Sequence, residues 1–214
     1  MTLTDFTQKL DYEKVLTNPI LDTAACFWDD ERYEAFKICY KSMRSVDDMV
    51  DNLKAKGNKI SEADKQQLKT LVCEWLKAID SWTPRDSVQK QLIETMTKFK
   101  IPSWPWQKLS EAMIYDLDNE GFDTFEIFLK YSEGAAVAPG SIFMHLCGVN
   151  KDNGDYNQPS FDVKEAAYPL AVFCYLVHIV RDFQKDQNEN LNYFASDLLA
   201  ENNLNESMLK EIAA

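Results

Sequence analysis

The sequence predicts an all-α protein, and two observations carry that prediction. Apolar residues recur with a helical period through nearly every segment, and no run of alternating β-branched residues bounded by turns is present. Glycine, which favours turns and weakens helices, occurs only 6 times in 214 residues. We therefore expect a bundle of roughly eight helices around one core, forming a single domain over residues 1–214.

Capping signals divide the chain into helices. A first helix is predicted from about Asp30 to Leu53, and Ser61 followed by Asp64 marks the start of the second. The remaining predicted elements are a third helix opening at Thr83-Pro84, a loop or break at 101–106, a helix from about Gln107 to Leu117, a cap at Asp123-Thr124, a surface loop at 151–160, a long helix from Asp162 to about Lys185, and two short helices.

Composition narrows the class of protein. The 35 acidic residues outnumber the 23 basic ones, and a net charge of -12 disfavours a nucleic-acid binder or a polybasic membrane surface. The 5 cysteines are scattered and include no C-x-x-C pair, so neither a disulfide framework nor a zinc site is indicated. The N-terminus lacks the pattern of a secretory signal, and we expect a cytoplasmic protein. The apolar run 166–180 is short for a membrane span, contains Pro169 and His178, and is predicted to be a buried helix.

The stretch "RSVDDMVD", residues 44–51, places several carboxylates on one turn of the first helix. On a helical wheel, Tyr40, Arg44, Asp47 and Asp51 border the apolar stripe, whereas Asp48 points further out. The apolar stripe itself consists of Phe36, Cys39, Met43, Val46, Val50 and Leu53. Since like charges one turn apart repel, a bound cation would explain the pattern, and a solvated acidic face is the alternative.

A second stretch, "VHIVRDFQKD" at 177–186, repeats this arrangement. Tyr175, His178, Asp182 and Asp186 share one strip of an otherwise apolar helix. Two such faces across a bundle would supply four carboxylates, the hard oxygen ligands that Mg²⁺ prefers. The neighbouring basic side chains are candidate diphosphate ligands. These basic residues are Arg44, Arg181 and Lys185.

Four ordered segments resemble the squalene/phytoene synthases, the head-to-head branch of the all-helical isoprenoid synthases. "YKSMRSVDDMVD" (40–51) and "IVRDFQKDQNENLNYF" (179–194) are similar to the two aspartate motifs of that family. "AMIYDLD" (112–118) matches its Gly-Met-x-x-Asp stretch at Asp116. "YSEGAAVAPG" (131–140) resembles its Tyr-x-x-Gly-x-Ala-x-x-x-Gly segment, and the matching residues are Tyr131, Gly134, Ala136 and Gly140.

The resemblance implies an isoprenoid-synthase-type helical bundle around a central cavity. It implies a Mg²⁺-dependent prenyltransferase that joins two prenyl diphosphates, farnesyl or geranylgeranyl, head to head and releases diphosphate. Two or three Mg²⁺ ions would lie on Asp47, Asp51, Asp182 and Asp186, with Asp48 at the edge. The implied catalytic residues are Tyr40, Arg44, Asp116 and Tyr131, and the implied substrate-binding residues are Arg44, Gly134, Ala136, Gly140, Tyr175, His178, Arg181, Lys185 and Tyr193.

The stretch "GAAVAPG" (134–140) has two interpretations that are compatible. Its small residues and Pro139 predict a kink that admits a diphosphate or prenyl chain close to the backbone. Alternatively, small residues let two helices pack closely. His178 is either a hydrogen-bonded core residue or a partner of Asp182, and His145 is predicted to be structural.

The chain departs from the family pattern at several positions. Tyr175 and His178 stand where family members usually carry amides, and Leu191 stands where an arginine commonly precedes the Tyr193-Phe194 pair. Three hypotheses follow: head-to-head coupling, ionisation of a single prenyl diphosphate as in terpene synthases, and a non-catalytic role in lipid binding or assembly. The sequence contains no Gly-rich dinucleotide fingerprint that would indicate NADPH. The reductive members of the family do not rely on such a fingerprint. We expect a monomer or weak dimer with peripheral membrane contact for an apolar product.

Overall fold

The computed structural model describes residues 20–54 and 61–214, without the side chains of Ile20, Met49 and 51–54. It confirms the all-α prediction, because the only strands in the described residues form one small hairpin. The elements are α1 (Ile20–Ala25), α2 (Asp30–Lys54), α3 (Glu62–Asp80), α4 (Ser87–Phe99), α5 (Trp104–Asp118), α6 (Phe125–Ser132), a π-helical segment (Glu133–Val137), α7 (Ala138–Gly148), β1 (Asn150–Asp152), β2 (Asp155–Asn157), α8 (Val163–Arg181), α9 (Phe183–Asn188), α10 (Ser196–Glu201) and α11 (Glu206–Ala213). Whether residues 1–214 form a single domain stays a prediction.

The core forms around α2, α5 and α7. The predicted apolar stripe of α2 is buried from Phe36 to Val50, while Leu53 lies outside the described side chains. Trp106 is fully buried beneath it, and its Nε1 donates a hydrogen bond to Ser42 Oγ at 2.9 Å. His145 is structural, as predicted, since its buried Nε2 lies 2.9 Å from the Phe99 carbonyl oxygen and burial lowers its pKa. The Trp106–Ser42 hydrogen bond joins α5 to α2, and the His145–Phe99 contact joins α7 to α4.

The capping residues in the sequence predicted several helix starts correctly. The side chains of Ser61, Thr124 and Asp162 each accept a hydrogen bond from a backbone N–H of the first helical turn, as predicted. The third helix was wrongly placed at Thr83-Pro84. It begins at Ser87, because the Asp86 carboxylate accepts from the Gln89 N–H at 2.8 Å and ends the turn there. The predicted break at 101–106 is shorter than expected, since Pro105 fits the first turn of α5.

The predicted surface loop at 151–160 contains a β-hairpin instead. Lys151 pairs with Tyr156 across the ladder, and Asn153 and Gly154 form the turn with φ of 48° and 93°. An Asn-Gly pair takes this left-handed turn at little cost, and that signal was present in the sequence. Tyr156 is buried and packs its ring on Phe99 with centroids 4.2 Å apart.

Glu31 ties α2 to this hairpin and to α4. Its carboxylate accepts from the Tyr156 hydroxyl at 2.7 Å and pairs with Lys151 at 2.9 Å and Lys98 at 3.3 Å. These hydrogen bonds, Tyr156 first, lower the pKa of Glu31 from 4.5 to about 2. The folded state therefore gains stability from Glu31 above its unfolded pKa and loses it as the pH falls towards 2.

We expect Glu31→Gln to lower the thermal midpoint at pH 7, with the difference from wild type shrinking between pH 5 and pH 2. Thermal unfolding followed by circular dichroism across this range measures the effect. Glu62→Gln is the matched control. The Glu62 side chain is 89% exposed, so its ion pair with Lys65 at 3.5 Å contributes little to stability. A constant difference at all pH values would contradict the assigned linkage.

Helix α8 corrects the prediction of a buried helix at 166–180. Only Ala167, Val172 and Ile179 are buried in it, because α7 and the π-helical segment cover one side and leave the other to solvent. By length and hydropathy, α8 is the one helix among the described residues that could cross a membrane. Core helices of soluble proteins share this length and hydropathy.

Candidate active site

The first aspartate motif lies on the exposed edge of α2. Arg44 donates from Nη1 to Asp47 Oδ2 at 2.6 Å and from Nη2 to Asp48 Oδ1 at 2.5 Å. Asp47 is the more enclosed of the two carboxylates, with 26% of its side chain exposed against 51% for Asp48, as the helical wheel predicted. The backbone of Asp51 continues α2, and its side chain lies outside the described part. One guanidinium thus organises the described carboxylates.

Tyr40 lies one turn before Arg44 and is half-buried. Its ring stacks on Phe36 with centroids 5.4 Å apart. Burial raises the pKa of Tyr40, an effect that Arg44 opposes and Asp47 reinforces. Tyr40 therefore presents a neutral phenol beside the first motif.

The second aspartate motif lies at a break between two helices. The prediction of one helix to about Lys185 is wrong, since α8 ends at Arg181 and Asp182 has φ of −95° and ψ of 7°. Asp182 Oδ1 and Oδ2 accept from Arg181 Nε at 2.7 Å and Nη2 at 2.9 Å, and His178 Nε2 lies 2.8 Å from Oδ2. The break lets flanking basic groups hold the Asp182 carboxylate from two sides.

The two carboxylates of this motif differ in their electrostatics. Hydrogen bonding by Arg181, with the charge of His178, lowers the pKa of Asp182. Burial and the charge of Asp182 raise the pKa of the half-buried Asp186 carboxyl. The charge of Lys185 acts in the opposite direction and offsets only part of this rise. A further cation near Asp182 and Asp186 would relieve this repulsion.

Three tyrosines, here called the phenol cluster, are associated in the structure: Tyr131, Tyr175 and Tyr193. The Tyr131 hydroxyl donates to Asp116 Oδ2 at 2.7 Å. Tyr175 meets Tyr193 edge to face with centroids 6.3 Å apart. Burial, followed by neighbouring tyrosine and aspartate charges, raises the pKa of both Tyr131 and Tyr175 well above 10.0. Both stay neutral hydroxyls at physiological pH.

The phenol cluster links helices that are distant in sequence. The charges of Asp116 on α5 and Asp47 on α2 both act to raise the pKa of Tyr175 on α8. Tyr175 precedes Asp182 by seven residues, which is two helical turns. The Tyr131–Asp116 hydrogen bond joins α6 to α5, and the Phe128–Tyr175 stack joins α6 to α8, so these three helices meet in one region.

Two aromatic residues of this region were missed by the sequence analysis. Phe128 stacks on Tyr175 with centroids 5.9 Å apart and planes 3° from parallel, and Phe122 lies 5.0 Å from the Tyr131 ring. The signal for Phe128 was its position one turn before Tyr131 on the same helix face. Together these rings form an apolar wall beside the hydroxyls.

The segment "GAAVAPG" forms the π-helical turn and the start of α7. A Cβ added at Gly134 would lie 2.1 Å from the Lys108 carbonyl oxygen and 2.6 Å from Ala112 Cβ on α5. A Cβ at Gly140 would lie 3.1 Å from Ala171 Cβ on α8. The close-packing interpretation is therefore confirmed for Gly134, and the half-buried Ala136 lies between these two contacts. A substrate role for these residues stays a prediction.

The chemistry of the acidic residues fits Mg²⁺, although the described geometry does not complete a site. Carboxylate oxygens are the ligands of that ion, and the repulsion on Asp186 favours a bound cation. Within the described ranges, no three histidine, cysteine, aspartate or glutamate side chains converge closely enough to hold a metal ion. The four-carboxylate cage thus stays a prediction.

We expect Tyr131→Phe to lower the free energy of unfolding by about 2 kcal/mol, because the enclosed Asp116 carboxylate loses a charge-assisted hydrogen bond. Urea denaturation measures this loss. Tyr33→Phe is the matched control. The Tyr33 hydroxyl lies 3.4 Å from Asp22 Oδ1, which is a long and weak hydrogen bond, so we expect a much smaller loss of stability. Equal losses in both variants would contradict the importance assigned to the Tyr131 hydrogen bond.

The all-α bundle with two aspartate motifs beside a phenol cluster defines the class to which this chain belongs, that of the helical isoprenoid synthases. A family model described as squalene/phytoene synthase matches residues 23–213. The chain belongs to the squalene/phytoene synthase family.

Two relatives support this assignment. The 15-cis-phytoene synthase of Synechococcus elongatus is 22% identical over 184 residues, covering 84% of this chain and 58% of that protein. Phytoene synthase 1 of Zea mays is 24% identical over 180 residues, covering 83% and 41%. This chain thus spans less than two thirds of the length of these relatives.

A solved structure supports the fold. The crystal structure of a dehydrosqualene synthase in complex with ligand superposes with a TM-score of 0.69 and 18% sequence identity. The superposition covers 97% of this chain and 68% of that chain. The similarity confirms the all-helical isoprenoid-synthase fold.

Proposed function

We propose that the chain is a Mg²⁺-dependent prenyltransferase that joins two prenyl diphosphates head to head and releases diphosphate. The observation that carries the proposal is the phenol cluster, in which Tyr131 donates to Asp116 on α5 at 2.7 Å and Tyr175 lies on α8 two turns before the second motif. Membership of the squalene/phytoene synthase family supports the reaction class. Farnesyl and geranylgeranyl diphosphate are the substrates that the proposal names.

Asp47, Asp51, Asp182 and Asp186 would hold Mg²⁺, with Asp48 at the edge. When bound, Mg²⁺ would neutralise part of the negative charge on the leaving diphosphate. Arg181 already holds Asp182 through two hydrogen bonds, which fixes that carboxylate in an ionised form. Asp182 would therefore remain an anionic ligand at neutral pH.

Basic side chains would bind the diphosphate. Arg44 is half-exposed at the first motif, and Arg181 and Lys185 are exposed at the second. A guanidinium binds phosphate oxygens in the same two-pronged geometry that it uses with carboxylates. If Arg181 moves from Asp182 to the diphosphate, His178 would keep Asp182 oriented through its contact with Asp182 Oδ2.

The apolar wall beside the phenol cluster would protect the reacting cation from water. Ionisation of the allylic C–O bond leaves a cation that must meet a prenyl alkene before it meets solvent. The faces of Tyr175, Phe128 and Tyr193 can stabilise positive charge, and Tyr40 can do so beside the first motif. Tyr131 stays protonated and bound to Asp116, so it does not quench the cation as a phenolate.

A single-substrate reaction is the second candidate. Tyr175 and His178 place a phenol and an imidazole where amides are usual in the family, and Tyr175 fills its position by stacking on Phe128. This bulk favours one bound prenyl chain over two. The proposal further includes a cytoplasmic location, peripheral contact with membranes for the apolar product, and no bound nucleic acid.

The test is to incubate the chain with farnesyl or geranylgeranyl diphosphate and Mg²⁺, and to measure pyrophosphate release and extracted lipids. A double variant, Asp47→Asn with Asp182→Asn, is the control. We expect release together with a coupled hydrocarbon. Release without a coupled product would support the single-substrate reaction, and no release above the control would overturn both and favour the non-catalytic role. Adding NADPH and comparing the products settles its use.

A further inference from the structure

We propose that Asp197 is a positioning residue of the proposed active site, because it holds the start of α6 from α10 and thereby places Phe128 beside Tyr175. The Asp197 carboxylate accepts a hydrogen bond from the Phe125 N–H, and its two oxygens lie 3.0 and 3.1 Å from that nitrogen. The donor and the acceptor are 72 residues apart in the chain. The inference rests on the proposed function, since Phe128 and Tyr175 are assigned there to the reacting cation.

The start of α10 also bonds to the loop before α6 through its backbone. The Ser196 N–H donates to the Phe122 carbonyl oxygen at 2.9 Å, and the Asp197 N–H donates to the Asp123 carbonyl oxygen at 3.1 Å. These two hydrogen bonds run beside the one that the Asp197 side chain accepts. Three hydrogen bonds between distant parts of the chain therefore fix α10 against the start of α6.

A carboxylate is well suited to the start of α6. The first N–H groups of an α-helix have no partner within the helix, and they carry partial positive charge. Thr124 Oγ1 accepts from the Ile127 N–H at 3.3 Å, and Asp197 accepts from the Phe125 N–H. A hydrogen bond to an ionised carboxylate is stronger than one between neutral groups. The local cap and the distant cap thus satisfy different donors of the same helical turn.

The backbone groups held in this way belong to residues whose rings contact Phe128. The Phe122 ring lies edge to face with the Phe128 ring at 5.4 Å between centroids, and the Phe125 ring stacks on it at 5.6 Å. Phe128 in turn stacks on Tyr175. Because these rings are packed against each other, a shift of the backbone at the start of α6 moves Phe128 relative to Tyr175.

The segment that carries Asp197 also contacts Tyr175 directly. Tyr193 lies four residues before Asp197 and meets Tyr175 edge to face. The next ring, Phe194, packs edge to face on Phe183 at 5.7 Å, and Phe183 begins α9 directly after the break at the second motif. One segment therefore contacts Tyr175 and, through Asp197, positions the ring that stacks on it.

Hydrogen exchange tests whether Asp197 holds α6. Asp197→Ala should make the α6 amides exchange about 10-fold faster, because losing a hydrogen bond to a charged group eases local opening. Asp197→Asn keeps an acceptor oxygen and should restore most of the protection. Asp86→Ala is the matched control, since the Asp86 carboxylate caps α4 through the Gln89 N–H at 2.8 Å, and α6 should then be unaffected. Unchanged protection of α6 in Asp197→Ala would overturn the inference.

Product analysis tests whether this placement matters to the reaction. Where the rings no longer exclude water, a water oxygen forms a C–O bond to the allylic cation and loses a proton, which gives the prenyl alcohol. Asp197→Ala should raise the ratio of prenyl alcohol to hydrocarbon by about 10-fold, whereas Asp197→Asn and Asp86→Ala should keep the wild-type ratio. A merely structural role would lower both products together, and an unchanged ratio in Asp197→Ala would overturn the positioning role.

The two measurements separate this inference from the proposed function. If the wild-type chain releases no pyrophosphate while α6 loses protection in Asp197→Ala, the proposed function is overturned and the placement of α6 by Asp197 is supported. If the wild-type chain is active and α6 keeps its protection in the variant, the proposed function stands and the inference is overturned.

Discussion

If the proposed function holds, Asp182→Asn is expected to lower pyrophosphate release from a prenyl diphosphate by about 100- to 1,000-fold, because the proposed Mg²⁺ site loses one carboxylate charge. Asp182 is suited to this role, since its lowered pKa keeps it ionised and hydrogen bonds from Arg181 fix both of its oxygens. A kinetic assay of pyrophosphate release over a range of Mg²⁺ concentrations measures the effect.

The fold should survive this substitution. The partners of Asp182 are the exposed side chains of Arg181 and His178, and exposed ion pairs contribute little to stability. Thermal unfolding of Asp182→Asn should therefore match that of wild type. Asp152→Asn, in the exposed hairpin, is the matched control and should keep full activity. Unchanged activity in Asp182→Asn would remove this residue from the proposed machinery.

Gly134→Ala is expected to lower the free energy of unfolding by about 3 kcal/mol, because the added methyl group overlaps backbone atoms of α5. The clash is with the Lys108 carbonyl oxygen at 2.1 Å, and a backbone atom cannot move aside as a flexible side chain does. Urea denaturation of the variant and the wild-type chain measures the difference.

Gly121→Ala is the matched control for this change. A Cβ at Gly121 would lie 3.7 Å from the Asn192 carbonyl oxygen, an ordinary van der Waals contact. We expect its stability to stay within about 0.5 kcal/mol of wild type. If both glycine variants were equally stable, the close contact between the π-helical segment and α5 would be wrong.

Much of the fold was predictable because helix formation depends on neighbours in sequence. The helical period of α2 and the caps at Ser61, Thr124 and Asp162 all rest on interactions within four residues, and the structure confirms them. The start of α4 was misplaced because two local signals compete there, and the Asp86 cap prevails over Pro84. The hairpin was missed because helical period dominates the rest of the chain.

The candidate site was predictable only in part. The carboxylates of both motifs could be named from their spacing, and the placement of Asp48 at the outer edge followed from the helical wheel. The pairing of Tyr131 with Asp116 joins residues on different helices, and Phe128 enters the region through the packing of α6 against α8. Local periodicity places Phe128 on the same helix face as Tyr131, but it does not specify which residue of another helix either side chain contacts.

The sequence by itself determined the helical class, the main caps and the two aspartate motifs, because each depends on periodicity or on chemistry within one or two turns. The tertiary structure alone decided the contacts between residues of different helices, the interruption of the helix at Asp182 and the exposure of one apolar face of α8. An apolar helix is buried only where another element covers it, and α7 covers one side of α8. Coverage depends on the path of the whole chain, which periodicity does not specify.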